Sequence, residues 1–274
     1  LIVTEQYHLE VTNLANPQAG KIALQSGAVD MIVADWVWVS HQRSLGKDYT
    51  FYPYSNTTGA LVVAKDSKIK HWRDLKNKKV AIAGGELDKN SLLLQALMAK
   101  QGQPGMFDSL QKVYGAPPLL NQQMFNKRVD AVLTYWHYAA RLQANGYRLL
   151  MTGNDILQGL AITEKVPSIG YVFSEQWAQH NQSAIQTFLE QTRQLKNTLC
   201  EDDSAWLGIQ SLIRAKTDKE NQLLRRGYCQ GRVLSWGEQE QAAAAEIYQY
   251  LKVSSHKRLT GSAEVLVPGT FWEP

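Results

Sequence analysis

Two stretches of this sequence, 100 positions apart, read as copies of one another. One runs Val-Asp-Met-Ile-Val-Ala-Asp-Trp from Val29 to Trp36. The other runs Val-Asp-Ala-Val-Leu-Thr-Tyr-Trp from Val129 to Trp136. Gly46 and Gly146 fall at the same offset, and each copy continues into a helix-like stretch carrying an arginine, Arg43 or Arg141. A short continuous apolar run of this kind marks a buried strand. Two such strand–helix units predict two equivalent half-structures, each with a tryptophan at the end of a strand. The expectation is two lobes that close on something between them.

Composition permits this and excludes much else. The 274 residues are 44% hydrophobic and 20% charged, enough apolar surface for one large or two medium cores. The net charge is +4 and dispersed. Its densest basic cluster, residues 71–79, includes Trp72, Asp74 and Leu75, and reads as a solvated turn rather than a nucleic-acid patch. No apolar run approaches the roughly 18–20 residues that span a bilayer, and no signal-peptide pattern is visible. With Leu1 in place of Met, the sequence reads as a mature form or a fragment. Cys200 and Cys229 lie in no C-x-x-C pair and near no histidine cluster, which argues against a zinc site. They are either buried thiols or one disulfide closing a loop of about 30 residues, worth roughly 3–4 kcal/mol. A disulfide would fit an oxidising compartment.

Strands are expected at residues 9–14, 31–34, 60–64, 79–83, 147–151 and 169–173, and helices at 17–25, 90–100 and 122–126. Asn16 is placed to cap the first helix, with Pro17 at its first position. Beyond Ser174 the pattern turns helical at 175–180, 183–199, 204–215, 218–226 and 237–251. Strands alternating with helices predict an α/β architecture with parallel sheets. No Pro/Gly/Ser-rich stretch separates autonomous domains, so strands crossing between lobes fit better than two beads on a string.

Several segments resemble the periplasmic substrate-binding proteins of ABC importers, in particular the group handling taurine, aliphatic sulfonates, nitrate and thiamine-pyrimidine precursors. They are the run from Lys21 to Asp30, the run Trp72-Arg-Asp-Leu-Lys-Asn-Lys-Lys-Val-Ala-Ile82, the run Phe125-Asn-Lys-Arg-Val-Asp-Ala131 and the run Ile169-Gly-Tyr-Val-Phe-Ser174. Asn77 and Lys127-Arg128 stand where glycine is usual in that group. The resemblance runs from about Ile22 to Leu199, and rests on the order and spacing of motifs that are individually common. It implies a two-lobed type II periplasmic-binding-protein fold with parallel-rich sheets and a helical C-terminal tail. Residues 1–62 plus 173–274 would form the first lobe and 63–172 the second. Such proteins begin with a strand and a helix ahead of the residue 9–14 strand. Here residues 1–7 read as the end of that helix, and the first strand is missing from the chain. Either the natural N-terminus lies outside this sequence or the first lobe is rebuilt.

In doubly wound lobes ligands lie beyond the carboxyl ends of the strands. That rule selects Asp35, Trp36 and Trp38 after the first copy, and Asn56, Thr57 and Thr58 before the first crossing strand. It also selects Gly85, Glu86, Lys89, Asn90 and Ser91 at the start of the 90–100 helix, Tyr135 and Trp136 after the second copy, and Tyr171 on the return strand. Each has a plainer reading: the tryptophans as core, Asn56 to Thr58 as a polar turn, Glu86 as a solvated loop, and Asp88 as a helix cap. Asp30 and Asp130 read as backbone anchors. The Gly84-Gly85 turn and the helix start after it suit an anionic group. Glu86 and Asp88 beside aromatic walls suit a cationic or hydrogen-bond-donating ligand instead. No G-x-S-x-G elbow, P-loop, G-x-G-x-x-G or H-E-x-x-H occurs, and no catalytic or metal-binding residue is assigned. The expected protein is a monomeric, extracytoplasmic or periplasmic solute-binding component of an ABC import system, compatible with a lipid anchor. Its partners are a small organic ligand and a membrane permease, with no nucleic acid and no cofactor. The alternatives are a pyrimidine-synthesis-type enzyme and an accessory or sensor protein on the same fold.

Overall fold

The computed structural model describes residues 2–3 and 5–273. The chain begins with β1 (Ile2–Val3), β2 (His8–Leu9), α1 (Pro17–Gln25), β3 (Met31–Ala34), α2 (Trp36–Ser44) and β4 (Tyr49–Ser55). It crosses into β5 (Ala60–Val63), β6 (Lys79–Ala83), α3 (Lys89–Lys100), β7 (Gln111–Gly115) and α4 (Pro117–Phe125). The second half continues with β8 (Ala131–Thr134), α5 (Trp136–Ala144), β9 (Arg148–Thr152) and α6 (Gly153–Gly159). Strand β10 (Ile169–Ser174) then returns and leads into α7 (Glu175–His180), α8 (Gln182–Glu201), α9 (Asp203–Gly208), α10 (Gln210–Ile213), α11 (Asp218–Gln230) and α12 (Glu238–Ser254).

The 100-residue repeat is visible element by element. Helices α1 and α4, strands β3 and β8, and helices α2 and α5 coincide at that offset, and β4 corresponds to β9. Both α1 and α4 begin on proline, and Gly46 (φ 81°) and Gly146 (φ 87°) make the same left-handed turn after α2 and α5. The sheets share one plan. The first has the order β3-β10-β4, the second β7-β6-β8-β5-β9. In each, the strand arriving from the other half is inserted between the two repeat strands and runs antiparallel to both. Among the described strands only β6 pairs parallel, with β7 and β8. The sheets are therefore mixed rather than parallel-rich, because the two crossing strands oppose the repeat strands. Gly170 makes this insertion fit: a Cβ there would lie 2.1 Å from the Tyr52 carbonyl and on the Phe51 ring.

The repeat also explains the strand expected at 9–14. Its counterpart is β7, which is held by β6. Among the described residues no strand pairs with the other edge of β3, so residues 11–15 have nothing to join. Only His8–Leu9 is extended, paired with Ile2–Val3, and Val11 and Leu14 are exposed. Residues 2–3 are thus strand, not the end of a helix. Asp130 ties β8 to β6, its carboxylate accepting from the Lys79 N–H at 2.8 Å. Strands β4 and β7 are additional to the expected set, and the helix expected at 204–215 is broken into α9 and α10.

The helical tail does not sit on the first half alone. Helix α11 packs on α5 and α12 on α3, while the Phe51 N–H and C=O bond the backbones of Thr270 and Trp272 at 2.9 Å. One apolar cluster runs from Trp36, Val37 and Phe51 through α12 to Leu93 and Leu97. Cys200 and Cys229 are joined in a disulfide that ties α8 to α11.

Asn77 (φ 58°) and Lys127 (φ 52°), the two positions where glycine is usual, both adopt left-handed backbone. For a side-chain-bearing residue this costs roughly 1–2 kcal/mol, less for Asn. Lys127→Gly is expected to raise stability by about 0.5–1 kcal/mol after the added freedom of the unfolded chain, and Asn77→Gly by less. Urea denaturation of the two variants measures this. A loss of stability in Lys127→Gly would show that the lysine side chain, not the backbone, holds the turn.

Candidate functional site

The carboxyl ends of β3, β6 and β8 meet where the two sheets face each other, Asp35 touching Lys89 and Gly84 lying against Tyr135, and each hands the chain to a helix. After β3, Asp35 caps α2, its carboxylate accepting from the Trp38 N–H at 2.9 Å. After β6, Gly84 and Gly85 turn the chain into α3, which Asp88 caps by accepting from the Ser91 N–H at 2.9 Å. After β8, Tyr135 stands at the cap position of α5 without a side-chain cap bond.

These termini meet in a charged cluster. Lys89 Nζ lies 3.2 Å from the Asp35 carboxylate, and Lys21 Nζ of α1 lies 3.8 Å from it. Lys21 also sits 5.0 Å over the Trp38 ring. Burial alone would push the Asp35 carboxyl up, but Lys89 and Lys21 hold it below its ordinary value. Burial opposes the charge on Lys89, yet Asp35 keeps its ammonium above its usual value. The Lys21 ammonium, with burial dominant, is lowered. Burial pushes Asp88 up to about 6. A Cβ on Gly84 would lie 2.8 Å from the Tyr135 hydroxyl, so glycine admits that side chain, while nothing lies within 4 Å of one built on Gly85.

Of the residues selected by sequence, Asp35, Trp38, Gly85, Lys89 and Tyr135 are brought to this gap. The others are not. Trp36 is a core residue, 4% exposed, donating its indole N–H to the Pro167 carbonyl at 3.0 Å and packing edge-on to Phe271. Trp136 lies against Gly227 of α11, where a Cβ would approach its ring to 2.8 Å. The two tryptophans therefore do not face each other across a cleft. Tyr171 points to α8, edge-on to Tyr54 and Phe188. Asn56 is buried, donating to the Arg232 carbonyl at 3.1 Å, and Thr57 bonds Ser55 at 3.0 Å. Thr58 and Asn90 pack on Gly153. Ser91 is buried in the α3 cap, its hydroxyl donating to the Asp88 carbonyl. Glu86 is exposed and pairs with Arg258 of the tail at 3.0 Å. Sequence reasoning missed Lys21: nothing in α1 marks which of its polar residues meets a carboxylate beyond β3.

Chemically, the cluster offers two ammoniums around the Asp35 carboxylate, the Asp88 carboxyl close to Lys89 and Tyr135, an indole wall and a tyrosine hydroxyl. Nearby His137 is pushed down to about 4 by burial and Arg141, so it is neutral near pH 7. No group of three or more His, Cys, Asp or Glu side chains able to hold a metal occurs among the described residues. No helix there is long and apolar enough to cross a membrane.

The chain matches the family model described as NMT1/THI5 like over residues 8–200. No curated protein sequence matches it. Similar solved structures include the periplasmic aliphatic sulphonate-binding protein SsuA of Escherichia coli (20% identity, covering 94% of this chain and 80% of that one, TM-score 0.74). Another is the alkanesulfonate-binding protein SsuA of Xanthomonas axonopodis pv. citri bound to MOPS (19% identity, 93% and 84%, TM-score 0.68). A third is a cysteine-to-serine mutant of DszB in complex with biphenyl-2-sulfinic acid (12% identity, 87% and 82%, TM-score 0.58). At these identities the likeness establishes the fold, that of the periplasmic binding proteins.

The raised Asp88 carboxyl gives a pH test. Its folded-state value lies above the ordinary 3.8, so its contribution to stability is fully present below that value and is lost as pH rises through about 6. Asn also caps helices. Asp88→Asn is therefore expected to match the parent at about pH 3 and to exceed it by about 1–2 kcal/mol at pH 7, read from urea midpoints across that range. A variant no more stable than the parent at pH 7 would show that Asp88 is well solvated when ionised.

Proposed function

Because this chain belongs to the NMT1/THI5-like family, we propose that it is the solute-binding component of an ABC-type import system. It captures a small organic ligand between its two halves and delivers it to a membrane permease. The observation that carries this reading is the 3.2 Å Lys89–Asp35 ion pair, which joins the end of β3 to the start of α3 across the gap between the sheets. Asp35 supplies Lys89 with an internal anion, and an acidic ligand headgroup competes for the same ammonium. The sulphonate-binding and MOPS-bound relatives support a sulfonate-like headgroup. Trp38 and Tyr135 would then flank the organic part.

The crossing segments, residues 56–59 and 163–168, would serve as the hinge, because they alone connect β4 to β5 and α6 to β10. We place residues 1–62 and 173–274 in one moving body and 63–172 in the other, with the tail bridging them. The disulfide supports an extracytoplasmic location. We read the protein as a monomer binding one ligand without turnover. Both cysteines are in the disulfide, which leaves a thiol-dependent enzyme on this fold without its nucleophile.

Isothermal titration against ethanesulfonate, taurine, MOPS, nitrate and an aminopyrimidine tests the proposal. At least one sulfonate is expected to bind, and Lys89→Met to weaken it about tenfold or more. Binding by none of them would sink the solute-capture reading, and turnover of any would assign the chain to the enzyme class.

A further inference from the structure

Helix α8 buries Ile185, Leu189, Lys196 and Leu199, one helical face. A lysine in the middle of that stripe occupies a core position: Lys196 is 5% exposed. Its ammonium donates to the carbonyls of Tyr54 at 2.8 Å and Gly231 at 3.3 Å. It lies 4.1 Å from the centre of the Tyr54 ring and 5.1 Å from that of Tyr228. All four partners are neutral. A buried ammonium without an anion is unfavourable. Burial, with the Arg232 guanidinium nearby, pushes Lys196 down to about 8.

A cavity of about 500 Å³ lies beside this lysine, between β4, α8 and residues 232–237. That volume is in the range of small-molecule sites. Its walls include Tyr54, Tyr171, Trp236 and Trp272, with Arg232 on the same lining as Lys196. Arg232 shares Glu201 at 2.9 Å, but its Nε and the Trp236 indole N–H are buried without a partner. Arg193, Glu238 and Glu273 also line the cavity, and all three are exposed. The cavity therefore has a cationic, aromatic inner end and a rim of mixed charge. It is separate from the Asp35–Lys89 group. Tyr171 and Tyr54 turn to the α8 side of the first sheet, whereas Val172 and Phe51 turn to the opposite core.

We infer that this cavity is a second ligand site, specific for a small aromatic organic anion whose acid group meets Lys196 and whose ring lies among the tyrosine and tryptophan walls. Edge-on packing at the ring separations already present between Tyr54 and Tyr171, 5.3 Å, suits such a guest. The rim carboxylates Glu238 and Glu273 disfavour the reversed orientation. The inference does not depend on what binds between the two halves.

The probe is 2-naphthoate, with 2-naphthamide as the uncharged match. Titration followed by the indole N–H resonances, assigned with single Trp→Phe variants, is expected to shift Trp236 and Trp272 and leave Trp38 unmoved. The amide is expected to bind at least about tenfold more weakly, and Lys196→Met to lose a similar factor for naphthoate. The proposal is overturned by no binding at millimolar naphthoate, by equal binding of the amide, or by shifts at Trp38 instead. If Lys196→Met does not fold, the amide comparison and the resonance map on the unaltered protein still decide. Unchanged naphthoate affinity in a folded Lys196→Met would also overturn it, leaving the lysine as a structural anchor for the Tyr54 and Gly231 carbonyls.

Discussion

The two strands that cross between the halves set the architecture of the molecule. Strand β10 hydrogen-bonds both β3 and β4, running against each, and β5 does the same between β8 and β9. Each half thus receives an interior strand from the far side of a crossover, and β4 and β9 lack their inner neighbours unless that strand is in place. The crossovers themselves are bonded together: the Ser168 N–H donates to the Ser55 carbonyl at 2.9 Å, and its hydroxyl to the Thr57 carbonyl. A hinge built this way can bend at residues 56–59 and 163–168 while the ladders on either side stay intact.

Much of this plan was legible from the repeat. Strands β3 and β6 and helices α1 and α7 stand at the expected bounds because each is locally complete: an apolar run, a cap such as Asn16 accepting from Ala19, a turn residue at the end. The mixed direction of the sheets was not legible, since strand direction is decided by which neighbour a crossing strand meets. Strand β4 was overlooked because Tyr49–Ser55 carries Pro53 and several tyrosines rather than a plain aliphatic run. Pro53 is tolerated at a bulge beside Gly170, near the sheet edge. The 9–14 segment shows the reverse error. Its alternation is that of a strand, but a strand without a partner ladder does not form.

The gap between the sheets was half legible for a related reason. The rule that ligands lie beyond strand ends brought Asp35, Lys89 and Tyr135 to one place, because it depends only on topology. It does not say which way a side chain turns at a helix start. Once Asp35 bends back to cap α2, the next residue, Trp36, is directed into the core behind the strand and meets Pro167 and Phe271. Trp136 follows Tyr135, which makes no cap bond, and packs sideways on α11. Identical sequence positions thus diverge because their caps differ.

The tail constrains how these parts can move. Glu220 of α11, buried, pairs with Arg141 of α5, and Arg258 beyond α12 pairs with Glu86. Meanwhile the segment ending at Trp272 is bonded to β4 in the other half. Separating Asp35 from Lys89 by a wide rotation would shear α12 off α3 or pull Phe271 from Trp36 and Phe51. Both contacts belong to one continuous apolar cluster, and interiors packed at that density yield in discrete steps rather than gradually. The exposed Arg258–Glu86 pair is the weaker of the two ionic links, whereas breaking the Arg141–Glu220 pair would leave a buried carboxylate. Opening should therefore begin on the α12 side, with the α11–α5 contact yielding last, so that the gap at Lys89 widens while the crossovers turn.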